Sequence, residues 1–334
     1  MKRLVFILLV CIVLSSCKKV FFDDEPGVSN QDVFDQVWSY TDEKYSFFDF
    51  KNIDWDSVKT IYEVKISNEI SEDSLFSVLS DMLYVLEDGH VNLSSSFDVS
   101  RNWEWYLDYP TNYDPNMIER HYFKNEQQFI GPFTVFDFGD VGYLHYESFS
   151  SSVSDEKIQQ VLAKFQNHKG LIIDVRDNGG GSISNVYNIG NHFVSEPIIT
   201  AYQRTKNGPG HEEFTTLAGA QFTPVDDYTS YQQPVVILTN RKCYSATNMF
   251  RTMMGALPNV TVIGDRTGGG GGIPTYTQLS NGWSLRVSST QMYNLDFISN
   301  ENGLSPDREV DVSIADESIN IDSILEDALS FLRQ

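Results

Sequence analysis

The stretch Pro234-Val235-Val236-Ile237-Leu238-Thr239-Asn240-Arg241-Lys242-Cys243-Tyr244-Ser245-Ala246-Thr247-Asn248-Met249-Phe250 decides the fold. Its first part is an unbroken apolar and β-branched run opened by a proline. That is the pattern of a strand buried on both faces, as in parallel sheets. Further on, Met249, Phe250, Met253, Met254 and Leu257 recur at helical spacing. The pattern predicts a strand, a short turn and a helix that begins near Ser245. A serine in that place has two uses. It caps the helix by accepting a bond from an orphan amide. Alternatively it is a nucleophile whose oxyanion is stabilised by those amides and by the helix dipole. Capping is the commoner use, and this stretch alone does not displace it.

A second stretch repeats the design. Leu171-Ile172-Ile173-Asp174-Val175-Arg176 is another buried-strand pattern and runs into Asp177-Asn178-Gly179-Gly180-Gly181-Ser182 before a helix-like segment. Glycines after a parallel strand let the backbone approach a ligand and present bare N–H groups to it. A turn without a ligand is the plainer alternative. A dinucleotide site is disfavoured, because the Gly-x-Gly-x-x-Gly spacing is not met. The two turns together can supply a nucleophile and an oxyanion hole. Strand patterns near Val141 and Val260, alternating with helical ones, make the domain α/β.

Asp174-Val175-Arg176-Asp177-Asn178-Gly179-Gly180-Gly181, followed by Ser245-Ala246-Thr247-Asn248, resembles the C-terminal processing peptidases, or tail-specific proteases. Within them it is most like the branch that includes the tricorn core protease. The resemblance runs from roughly Val33 to the C-terminus. It implies a crotonase-like spiral of ββα units with a small N-terminal helical subdomain, acting on peptides or unfolded proteins. It makes Ser245 the nucleophile and places a catalytic histidine at the corner Asp88-Gly89-His90. Glu301, in Glu301-Asn302-Gly303-Leu304-Ser305-Pro306-Asp307, becomes the acid that orients His90, directly or through another side chain. Gly179, Gly180 and Ala246 line the oxyanion and substrate position, with the Gly180 and Ala246 amides holding the oxyanion. No metal or cofactor is called for. Many family members pair the serine with a lysine, but that position falls on Gly270, and no lysine follows Lys242. Serine needs an activating base, so either His90 supplies it or the site is inactive and only binds peptides. The tricorn-like branch also carries a serine before its histidine, where this chain has Gly89. The PDZ domain of many members has no room here, because only residues 94–139 are available.

The rest of the chain divides around this. Lys2 and Arg3 precede an apolar run that ends Leu14-Ser15-Ser16-Cys17, which resembles a bacterial lipobox. The run is shorter than a permanent membrane span and fits a signal peptide over residues 1–16. Cleavage there leaves Cys17 to carry the lipid. The expected address is the bacterial cell envelope, with the outer membrane favoured. Residues 17–30 read as a tether, 31–90 as the helical subdomain, 91–139 as a connecting β and aromatic segment, and 140–334 as the peptidase domain. The chain has 334 residues and a net charge of −22, which argues against phosphate-backbone binding and hence against nucleic acid as a partner. Beyond Cys11 and Cys17 only Cys243 remains, so the body of the protein forms no internal disulfide. Cys243 ranks low as a nucleophile, because it precedes the helix start.

Three helical faces are expected in 32–86: Val33, Phe34, Val37 and Trp38; then Val58, Ile61, Tyr62 and Ile66; then Leu75, Val78, Leu79, Met82, Leu83 and Leu86. Gly89 reads as the left-handed residue closing the third helix. Trp103, Trp105, Tyr106, Tyr109 and Tyr113 serve packing or peptide contact, with packing favoured. Strands are expected near 198–203 and 213–217. The glycines at 268–272 read as a mobile loop, and Asn281-Gly282 as a hairpin turn. Ile321, Ile324, Leu325, Ala328, Leu329 and Leu332 form a closing helix.

Overall fold

The computed structural model describes residues 28–107 and 109–334. The signal peptide, Cys17 and all but the last residues of the tether lie outside the described residues. In chain order the helices and strands are α1 (Asn30–Lys44), α2 (Phe48–Lys51), α3 (Trp55–Glu63), α4 (Glu72–Tyr84), β1 (Asn92–Ser94), α5 (Glu104–Leu107), α6 (Pro115–Ile118), β2 (Gln128–Ile130), β3 (Phe133–Asp137), β4 (Val141–Tyr146), α7 (Asp155–Phe165), β5 (Gly170–Asp174) and α8 (Ile183–Gly190). They continue as β6 (Ile198–Thr205), β7 (Ala218–Phe222), β8 (Val235–Thr239), α9 (Ala246–Met254), β9 (Val260–Gly264), β10 (Pro274–Gln278), β11 (Ser284–Ser288), β12 (Thr290–Tyr293), β13 (Arg308–Glu309), α10 (Ile314–Glu317) and α11 (Ser323–Leu332).

The fold is mixed α/β around a seven-stranded sheet of order β13-β9-β8-β5-β4-β3-β2. The run from β4 through β5, β8 and β9 to β13 is parallel, and the edge β4-β3-β2 is antiparallel. Both faces of the parallel strands are covered, as their continuous apolar sequences require. Leu171, Ile173, Val235, Ile237 and Val262 face one core, filled from α7, α8 and α9 by side chains such as Phe165, Val186 and Phe250. Ile172, Val236, Leu238 and Ile263 face the other, closed by Ile324, Leu325, Ala328 and Leu329 of α11. Two three-stranded sheets complete the chain, β12-β6-β7 and β1-β11-β10.

The N-terminal helices begin at side-chain caps on Ser29, Asp54 and Ser71. Their apolar faces do not close on one another alone. Leu93, Trp283, Leu285 and Val287 from β1 and the β11 hairpin complete the same core. Of the expected faces, Ile61 instead lies 57% exposed.

Three local expectations are corrected. The strand after β6 is Ala218–Phe222 rather than 213–217. Its sequence, Ala-Gly-Ala-Gln-Phe, carries little β propensity, and pairing with β6 creates it. The left-handed residue after α4 is Glu87, with φ of 43°, not Gly89. Gly89 is required for space: a Cβ there would stand 2.9 Å from Tyr244 Oη and 3.0 Å from Trp103. The glycines at 268–272 are packed. Gly269 and Gly270 hold positive φ, and a Cβ on Gly269 would meet the Glu301 carbonyl.

Candidate active site

β5 and β8 are hydrogen-bonded neighbours in the parallel sheet. The turns that follow them therefore emerge side by side at the C-terminal edge, where open α/β sheets place their ligands. Asn178 ties the two together. Its Oδ1 accepts from the Gly180 amide (3.0 Å) and from Thr247 Oγ1 (2.7 Å), and its Nδ2 donates to the Tyr146 carbonyl. Its own carbonyl accepts from the Tyr244 amide. Gly180 lies so close that a Cβ would stand 2.8 Å from Ser245 Cβ and 3.0 Å from the Ala246 nitrogen.

Ser245 occupies the residue before α9, yet its side chain caps nothing. Its φ of 58° and ψ of −120° put a non-glycine residue in a region that costs roughly 1–3 kcal/mol. This is the sharp strand-to-helix elbow that lifts a side chain clear of a sheet. Backbone bonds hold the turn: the Ser245 amide donates to the Gly269 carbonyl (2.9 Å), and Gly268 N–H donates to the Cys243 carbonyl. Freed from capping, Ser245 Oγ lies 2.9 Å from His90 Nε2. The Ala246 amide, in the first turn of α9, has no hydrogen-bond acceptor among the described residues. Gly179 is exposed, and the space a Cβ would occupy there is open.

His90 arrives from the other half of the chain. Asp88 Oδ1 accepts from the His90 amide at 2.8 Å, and Tyr244 Oη accepts from the Gly89 amide at 3.0 Å. The Tyr244 ring packs against His90 on one side and stacks on Tyr106, 4.3 Å between centroids, on the other. Burial lowers the His90 pKa to about 4, with Arg286 and Lys51 acting in the same direction. Asp88 and the Gly272 backbone act against it. His90 is therefore neutral near pH 7 and able to accept a proton.

Glu301 is not brought to the His90 ring. It is fully buried, ion-paired with Lys51 Nζ at 2.8 Å, and its Oε2 accepts from the Gly271 amide. Burial raises its pKa to about 7 against the opposing pull of Lys51, while Asp88 pushes the same way as burial. Lys51 also donates to the carbonyls of Leu86 and Glu87, just ahead of the His90 corner. Lys51 thus joins two backbone segments, one leading to His90 and the other bonded to the serine elbow. Lys51, Asp88, Asn178 and Tyr244 are site residues that sequence reasoning does not single out. Asn178 and Tyr244 lie inside the two quoted turns, but a lone lysine in a helical segment carries no signal.

Gly270 has a φ of +74°, and a Cβ there would stand 2.5 Å from the Tyr244 ring. No longer side chain fits without moving Tyr244. Cys243 is buried, its Sγ donates to the Val175 carbonyl, and burial pushes its thiol pKa far up. Arg176, between the sheet and the glycine turn, is structural: it is fully buried between Asp174 (2.6 Å) and Asp322 (2.8 Å). Although burial works against ionisation, Arg176 holds the Asp174 carboxyl below its usual range. Among the described residues, no group of three or more His, Cys, Asp or Glu side chains is placed to hold a metal ion.

Two recesses flank Ser245. One is mostly apolar, with Ile183, Met249, Ile273 and Met292 around it. The other is polar and aromatic, with Trp103, Tyr106, Lys242 and Arg286.

A parallel α/β sheet that carries an elbow serine against a buried histidine defines a hydrolase-like class of protein. Residues 140–310 match the family model described as Peptidase family S41, and residues 26–84 match the Tricorn protease C1 domain. The chain belongs to peptidase family S41, a family of serine peptidases. The carboxy-terminal processing protease CtpB of Bacillus subtilis is 27% identical over 152 residues, covering 44% of this chain and 29% of that protein. The tricorn protease of Thermoplasma volcanium is 28% identical over 197 residues, covering 58% of this chain and 17% of that protein. The chain spans about a third of the length of the first curated relatives it matches. A crystal structure from Parabacteroides merdae, described as that of a candidate peptidase, is 40% identical with a TM-score of 0.86. That match covers 92% of this chain and 97% of the other.

Proposed function

We propose that this chain is a serine endopeptidase of the bacterial cell envelope, with a crotonase-like fold, Ser245 as nucleophile and His90 as general base. The observation that carries the reading is the 2.9 Å contact between His90 Nε2 and an Oγ that the strained elbow withholds from capping. In this reading Nε2 takes the serine proton as Oγ attacks the peptide carbonyl. Its role as acceptor assigns the ring proton to Nδ1. The Ala246 amide, at the positive end of α9, receives the oxyanion. The Gly180 amide joins it by turning from Asn178 Oδ1, with which it is bonded in the free site. The imidazolium then passes its proton to the leaving amine, and water releases the acyl group by the reverse sequence. The steric closure of Gly270 supports a histidine rather than a lysine base. Glu301 acts at one remove, through Lys51 and the backbone on either side of it. A lipid on Cys17 would hold the domain at the membrane. No helix among the described residues is long and apolar enough to cross a membrane.

The test is labelling with a fluorophosphonate, followed by peptide turnover. Wild type should label, and Ser245→Ala and His90→Ala should both lose labelling and turnover. The double variant should be little worse than either single one, because such residues act as a unit. Wild type that neither labels nor turns over any unfolded substrate would favour an inactive, peptide-binding protein. Retained turnover in His90→Ala would transfer the base to another residue.

A further inference from the structure

The outer face of the β1-β11-β10 sheet forms the floor of a cleft of about 770 Å³, within the range of ligand sites. Its register explains the floor. Leu285 and Val287 of β11 point into the core beneath the N-terminal helices. Side chains alternate along a strand, so Ser284 and Arg286 point the other way. Asn92 on β1 and Tyr276 on β10 are the direct partners of Arg286, and directly opposed residues share a face. Arg101 and Trp103 form the wall.

The cleft begins at the catalytic residues. β1 starts two residues after His90, and β10 starts two residues after Gly272. Arg286 lines both this cleft and the recess that contains Ser245 and His90. Its charge reaches the His90 ring, where it helps to lower the pKa.

The charge is out of character with the molecule. The chain carries 46 acidic residues against 24 lysines and arginines, yet no acidic side chain among the described residues lines this cleft. Neither Arg101 nor Arg286 has an ion-pair partner among the described residues. Arg286 has only a long contact from Nη1 to Asn92 Oδ1, at 3.4 Å, and its buried Nε has no partner. Arg101 rests over the Trp103 ring, 5.3 Å from its centroid. With Nε sealed in the protein, the Arg286 guanidinium keeps its outer Nη groups for a ligand, and that end-on edge suits a planar carboxylate.

We propose that Arg286, assisted by Arg101, binds a carboxylate of the peptide in the cleft and so selects which peptides reach Ser245. The ligand's identity as a peptide rests on the peptidase reading; its negative charge rests on the cleft alone. Strand spacing sets the reach. Arg286 stands opposite a residue two positions from His90, so the carboxylate sits roughly two to four residues from the bond presented to Ser245, at about 3.3 Å per residue. Either a free C-terminus or an Asp or Glu side chain supplies such a group.

The experiment measures binding, so that it does not depend on turnover. Ser245→Ala protein is titrated with fluorescently labelled unstructured peptides in matched pairs. One pair differs by C-terminal acid against amide, the other by internal Glu against Gln. A charge-assisted bond contributes enough for the favoured acid to bind roughly 10- to 100-fold tighter than its neutral twin. The pair that shows the difference identifies the source of the carboxylate. Adding Arg286→Gln should remove the preference, Arg286→Lys should restore part of it, and the exposed Arg101→Gln should reduce it in a protein whose folding is not in question. Added salt should weaken the acid peptides selectively. Equal affinity for acid and neutral twins, or a preference unchanged in both glutamine variants, overturns the proposal. Such a result leaves the peptidase reading standing if wild type still labels with fluorophosphonate. Preference without labelling would sink the peptidase reading instead.

Discussion

Replacing Lys51 by methionine should destabilise the protein more at pH 8 than at pH 6, by a calculable margin. The substitution keeps an apolar stem and removes the ammonium that meets Glu301 at 2.8 Å and the carbonyls of Leu86 and Glu87. Each lost charge-assisted bond to a carbonyl costs about 1.5 kcal/mol, so about 3 kcal/mol is lost at either pH. The remainder comes from Glu301, whose pKa burial raises to about 7 in the fold from 4.5. A carboxyl raised in this way favours the fold when protonated. Its contribution is complete below the unfolded value and is lost as pH rises through about 7. Without Lys51 the folded pKa moves higher still, and Glu301 stays protonated at pH 8. Wild type gains from ionising one pH unit above its pKa, and the variant does not, which makes a difference of about 1.4 kcal/mol. At pH 6 both proteins hold the proton and this difference vanishes. Urea denaturation followed by tryptophan fluorescence at the two pH values measures it. A destabilisation equal at both pH values, or larger at pH 6, would refute the coupling of Lys51 to Glu301. Glu301→Gln in the same background should abolish the pH difference.

Peptide turnover by wild type should hold as pH falls past the ordinary imidazole range and collapse near pH 4, because burial keeps His90 neutral until then. Protonated His90 cannot accept the serine proton, and an acid limb centred near the ordinary imidazole value would show that burial does not depress His90 in the working enzyme. Cys17→Ala should release the protein from the membrane fraction; finding the variant still in the pellet would remove the lipid anchor from the reading.

The sheet and both turns are legible in the sequence because buried parallel strands write themselves as continuous apolar runs. Val235 to Thr239 and Leu171 to Asp174 each carry the signal within a few residues. The helical faces of 32–86 and the Asn281-Gly282 hairpin are likewise local patterns, and β10 and β11 flank that turn. Where the pattern is weak, as at β7, the expected strand falls several residues from the real one.

The sequence by itself determined the α/β class, the presence of a glycine turn and a serine turn after buried strands, and the absence of a lysine after Lys242. Local periodicity and composition carry those facts. Only the tertiary structure decided what Ser245 meets. Its elbow conformation depends on bonds to Gly269, and its partner His90 is brought over by pairing of Asn92 with Arg286. It also decided that Glu301 meets Lys51 rather than the imidazole, and that Gly270 is closed by Tyr244. Each of these is a contact between residues distant in the chain, and side-chain spacing along a strand or helix holds no information about which distant surface will cover it.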